Sequence, residues 1–124
     1  MSGAHALWDE RLPFPQRESL RYPEGTVDVV VHRAGADGYG FLHDAAIVQH
    51  KGDLFAAWYN CPGGEIEEES LIRGRTSLDG GRSWSQPEVV ASDARGEGIF
   101  YVPVALLSHE GILYAYVSNM VRTS

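Results

Sequence analysis

A chain of 124 residues, 44% hydrophobic and 22% charged, has the length and balance of one globular domain and excludes a disordered segment. Seventeen acidic against ten basic residues give a net charge of −7, which argues against a polyanion-binding surface and sets nucleic acid aside as a partner. The single cysteine excludes an intrachain disulfide, and no stretch approaches the roughly 18 apolar residues of a membrane span.

Residues 1–25 hold Pro13, Pro15 and Pro23 among charged residues and read as an extended arm. Charges and prolines also stand where a signal peptide needs an apolar run, so a cytoplasmic location is expected. Residues 26–33, Thr-Val-Asp-Val-Val-Val-His-Arg, are rich in β-branched side chains and predict a strand. Residues 34–40 hold three glycines and Asp37 and predict a loop.

Residues 41–60 can be laid over residues 100–119 without a gap. Seven of the twenty positions are identical: Phe41, Ala46, His50, Gly52, Leu54, Ala56 and Asn60 each recur 59 residues later. An internal repeat of this period marks a stacked or circular array of β units. Within one period the turn signals divide the chain into strands near 43–50, 54–60, 68–76 and 84–91, and the second copy adds strands near 101–108 and 112–119. Four antiparallel strands per repeat is the anatomy of a propeller blade. Cys61, ahead of Pro62-Gly63-Gly64, reads as a loop residue. His50 and His109 fall beside glycine turns and read as part of the repeat, not as a metal pair. No metal and no cofactor are expected.

The turn between the third and fourth strands is Ser77-Leu78-Asp79-Gly80-Gly81-Arg82-Ser83-Trp84. Asp79 can fold its carboxylate onto nearby backbone N–H groups. The two glycines supply positive φ, Ser77 and Ser83 can tie the loop ends together, and Trp84 anchors the outgoing strand. The stretch reads S-x-D-G-G-x-S-W and resembles the Asp-box, or BNR repeat, of the sialidase-like β-propellers. The resemblance implies an all-β fold of four-stranded propeller blades. On it, 26–124 is a partial propeller domain of about one and a half blades, the N-terminal fragment of a larger protein. Remaining blades, or self-association through exposed strand edges, are the expected protein partners. The resemblance also makes Ser77, Asp79, Gly81, Ser83 and Trp84 structural, on the face away from the active site.

The expected chemistry lies at the opposite face, where the loop 60–67, the connector 92–98 and the starts of the first strands of each repeat gather. The family carries an F/Y-R-I-P signature there. This chain has Phe41-Leu42-His43-Asp44 and Phe100-Tyr101-Val102-Pro103, with the arginine absent from both. His43, Asp44 and Tyr101 are the catalytic candidates: an imidazole works as base or acid near neutral pH, and a carboxylate can orient it or protonate a leaving oxygen. Adjacent strand residues point to opposite faces, which separates His43 from Asp44 in a regular strand. Tyr59, Asn60, Glu68 and Arg73 are candidate substrate contacts. The resemblance implies a carbohydrate-active enzyme of glycosidase type with a glycan substrate, inactive as this fragment. A uronate lyase on the same fold and a non-catalytic glycan- or protein-binding propeller module are the alternatives.

Overall fold

The computed structural model describes residues 9, 11–21, 23–35, 37–65, 67 and 69–121. They form an all-β structure of two antiparallel sheets. The first is a meander of β1 (Phe41–His50), β2 (Asp53–Cys61), β3 (Leu71–Ser77) and β4 (Glu88–Ala91), hydrogen-bonded in that order. The second is the hairpin of β5 (Ile99–His109) and β6 (Ile112–Val121). No α-helix occurs among the described residues, and no described helix is long and apolar enough to cross a membrane.

The two hairpins are the same object. Phe41 pairs with Cys61 and Ile47 with Ala56 in the first. In the second, Phe100 pairs with Met120 and Leu106 with Ala115, each residue 59 positions further on. A one-residue irregularity interrupts both ladders at the same place, between His43 and Ala46 and between Tyr101 and Val104. Both turns are also alike, with Lys51 and Gly52 at φ 53° and 99°, and Glu110 and Gly111 at φ 48° and 77°. Consecutive positive φ values are what a two-residue turn needs to match the twist of its strands.

The core lies between the sheets. Ala57, Tyr59, Cys61 and Ile72 of the first sheet meet Val104 of the second, with Phe41, Ala46, Leu106 and Val117 packed around them. The opposite face of the first sheet carries Trp58, Arg73 and Arg75, cross-strand neighbours in the β2–β3 ladder. Gly74 is tightly enclosed, since a Cβ there would stand 3.0 Å from the Ala56 carbonyl oxygen and 3.2 Å from Val90.

Three expectations need correction. Residues 26–33 form no strand; 26–30 are exposed, and the stretch meets the outer face at its end, with His32 stacked on Trp58 at 4.8 Å and Arg75 Nη1 donating to the Val31 carbonyl at 2.9 Å. The fourth strand starts at Glu88 and not at Trp84, because Pro87 has no N–H to give the ladder. Cys61 is not a loop residue but the fully buried last residue of β2. Within the arm, Arg17–Ser19 makes a single 3-10 turn.

Candidate functional site

The loop of residues 77–84 closes as a self-contained hydrogen-bonded unit. Asp79 Oδ1 accepts from Ser77 Oγ at 2.8 Å and from the Ser83 N–H at 2.9 Å, and Oδ2 accepts from Ser83 Oγ at 2.6 Å. Ser77 Oγ in turn accepts from the Gly81 N–H at 2.8 Å, and the Trp84 indole donates to the Gly81 carbonyl at 3.2 Å. Gly80 and Gly81 sit at φ 73° and 90°, conformations that L side chains rarely adopt. The Ser83 hydroxyl, then its N–H and the Ser77 hydroxyl, hold the Asp79 carboxyl far below the usual carboxylate range. The Asp79 carboxylate, both serine hydroxyls and the Trp84 indole are thus all engaged within the turn.

The chemistry gathers at the other end of β1. The bulge there puts Asp44 at φ 48°, so it does not alternate to the opposite face from His43. Instead its Oδ2 stands 3.2 Å from His43 Nδ1, with both side chains about half exposed. The strand rule that separates neighbouring side chains fails here because the extra residue of the bulge turns the backbone. The pair borders a groove of about 320 Å³ lined by Val30, Val31, His32, Leu42, Ala45 and Trp58. An imidazole held at Nδ1 by a carboxylate presents Nε2 to whatever enters, an arrangement suited to proton transfer.

His32, which sequence reasoning passed over, is the third polar side chain of this groove. Its Nε2 is buried without a hydrogen-bond partner among the described residues. Burial, then the neighbouring Arg75 charge, lowers its pKa. Its signal in the sequence was hidden inside a run that read as an ordinary strand.

The other candidates are placed elsewhere. Tyr101 packs against the core cluster, its N–H donating to Ser70 Oγ at 3.2 Å, and it does not line the groove of His43 and Asp44. Tyr59 is fully buried with its ring edge-on to Phe41. Asn60 is fully buried too, donating from Nδ2 to the Phe41 carbonyl at 2.8 Å and accepting from the Trp58 indole at 3.4 Å. Arg73 is engaged within the fold, paired with Asp37 and lying over the Tyr39 ring at 4.3 Å. Desolvation works against the Asp37 carboxylate, but the hydrogen bonds from Arg73 and the Tyr39 N–H outweigh it and lower its pKa. Glu68 lies outside the described residues. His50 donates to or accepts from Ser108 Oγ at 2.8 Å, tying the turn ends of the two hairpins together. Among the described residues, no three His, Cys, Asp or Glu side chains converge as a metal site.

No protein-family model, no curated protein and no solved structure matches the chain.

Proposed function

We propose that the two sheets are successive blades of a sialidase-like propeller and that the chain belongs to a carbohydrate-active enzyme of glycosidase type. The observation that carries this reading is the His43–Asp44 pair, held at 3.2 Å on the β1 bulge at the mouth of an apolar groove. The Asp-box hydrogen bonding and the repeated hairpin register support the blade assignment.

In this reading Asp44 fixes the imidazole through Nδ1, and His43 Nε2 moves the proton at the glycosidic oxygen or at an attacking water. The apolar walls, Leu42 and Val30 among them, receive the C–H face of a sugar ring. The described groove lining holds no lysine or arginine, and the two β3 arginines are bound to Asp37 and to the Val31 carbonyl. An uncharged glycan therefore suits the groove better than the carboxylate of a sialic acid, which calls for a cationic fork. Tyr101 stands in the core cluster, so the His/Tyr pair of a uronate lyase has less support than the His/Asp pair.

The test is an assay of the full-length protein to which this chain belongs in this reading, with His43→Ala and Asp44→Asn beside it, against paired uncharged and sialylated glycosides. Turnover of the uncharged member, lost in His43→Ala and reduced about 100-fold or more in Asp44→Asn with circular dichroism unchanged, supports the reading. Turnover unaffected by both substitutions overturns it.

A further inference from the structure

Trp58 is a flat aromatic ring at the groove, and what covers it is another ring from the chain's own arm. His32 lies on it at 4.8 Å with 20° between the planes, and Trp58 is left only 5% exposed. The Trp58 ring is fixed by the sheet. It stands on β2 between Ala57, which pairs with Ala46, and Tyr59, which pairs with His43, so it lies across the ladder from the bulge that holds Asp44. Its indole donates to Asn60 Oδ1 at 3.4 Å, a hold that comes from β2 and not from the arm.

The cover is held more loosely. Residues 26–30 are exposed, and residues 26–33 join no ladder. Among the described residues, the ring and hydrogen-bond contacts of 26–33 with the sheet are the His32 stack and the bond from Arg75 Nη1 to the Val31 carbonyl. Each leaves a buried nitrogen without a partner, His32 Nε2 and Arg75 Nε. Such orphans oppose the closed position, because water satisfies both once the arm lifts. The chain just beyond is firmly tied. Asp37 pairs with Arg73, and the Gly40 N–H donates to the Pro62 carbonyl at 2.7 Å. Between the loose and the tied parts lies Gly35, at φ 87° and with nothing within 4 Å of where a Cβ would stand. That is a point at which the backbone can turn.

We propose that Trp58 is a stacking platform for a sugar ring, and that His32 fills the place of that ring in the unliganded protein. A glycan of two or more sugars displaces the arm to reach it. This rests on the glycan reading above and extends it from one sugar beside His43 and Asp44 to a chain. A sugar ring offers a flat C–H face, which an aromatic surface with few polar groups around it suits. Arg73 stays bound to Asp37, so the exposed platform keeps its preference for uncharged sugars. Lifting His32 uses part of the binding free energy, so the closed arm weakens the apparent affinity for the longer glycan.

Two measurements on the full-length protein test this, with folding of each variant checked by circular dichroism. Hydroxyl-radical footprinting read by mass spectrometry gives the oxidation rate of Trp58 alone, and in His32→Ala that rate is expected to rise about threefold or more. Uncharged para-nitrophenyl glycosides of one sugar and of three are then compared as substrates. His32→Ala is expected to lower KM for the longer glycoside several-fold, the opposite of losing a substrate contact. Trp58→Leu is expected to raise that KM about tenfold or more, against a few-fold for the single sugar, with Trp58→Phe restoring part of the loss. An unchanged Trp58 oxidation rate in His32→Ala overturns the displaceable arm. A raised KM in His32→Ala, or equal losses on both glycosides in Trp58→Leu, overturns the platform while leaving the glycan reading in place. No turnover of either glycoside by the unsubstituted protein defeats the glycan reading and the platform with it.

Discussion

Asn60 Nδ2 donates to the Phe41 carbonyl oxygen across 2.8 Å, fastening β2 to the start of β1 from inside the sheet. The same amide accepts from the Trp58 indole, and its side chain is fully buried. Asn60→Ala strands the Trp58 N–H and removes the strap on Phe41. Leaving buried polar groups unpaired costs about 1–3 kcal/mol. Urea denaturation of Asn60→Ala is expected to show a lower midpoint with an unchanged slope. Asn119 is the repeat counterpart but is exposed, so Asn119→Ala is expected to shift the midpoint little. Equal losses at the two sites would refute this assignment.

Lys51 and Glu110 hold left-handed backbone at the same turn position of each hairpin, although neither is a residue type that favours it. Asparagine visits this region readily, and Asn-Gly is the preferred pair for such a turn. Lys51→Asn and Glu110→Asn are each expected to stabilise the fold by up to about 1 kcal/mol. The two turns lie side by side, a Cβ on Gly111 standing 3.8 Å from Lys51 Cε, so a double variant measures how strongly the two gains couple. A loss of stability at both positions would rule out this turn geometry.

The strands were legible where alternation and turn chemistry agreed, and the repeat made them doubly so. Gly52 and Gly111 announce the two turns, and the Asp79 loop explains itself from its own residues. What was not legible came from tertiary context. Residues 26–33 read as a strand, but their backbone finds no ladder, and of them Val31 and His32 are tied to the outer face. The β1 bulge has no sequence mark of its own, because Asp44 is an ordinary residue until its neighbours force φ to 48°. That single kink joins His43 to Asp44. Tyr59, Asn60 and Arg73 looked available because residue type does not reveal burial.

The Asp79 carboxyl titrates far below its ordinary value of 3.8, through the hydrogen bonds of Ser83 and Ser77. A depressed folded value means the unfolded chain binds the proton more readily. The stabilisation is therefore complete above the unfolded value and disappears as pH falls below it toward the folded one. Thermal melts from pH 7 to pH 2 are expected to show a decline that begins near pH 4. In Asp79→Asn that decline is expected to be shallower, and at pH 7 the midpoint is expected to be several degrees lower. An identical pH profile for the two proteins would show that the Asp79 hydrogen bonds do not hold the turn.

His32 offers a different pH response, centred on the arm and not on the turn. Its ring stacks on Trp58 at 4.8 Å, and its buried Nε2 has no partner among the described residues. Burial lowers its pKa first, and the Arg75 charge adds to this, while Asp37 works the other way and Arg73 again lowers it. Protonation would place a second N–H⁺ between two arginines with a single carboxylate to offset it. The docked arm thus favours the neutral ring. The sign follows: docking is at full strength above the unfolded value of 6.5 and weakens as pH falls through the lower folded value. His32→Phe keeps the stack on Trp58 and removes the titration. Protection of the Trp58 ring, which the His32 stack covers, is read by acrylamide quenching from pH 7.5 to pH 5 and is expected to fall in the native chain. In His32→Phe the protection is expected to stay flat. Parallel loss in both proteins would mean that the arm is released by some other group, with Asp37 as the next to examine.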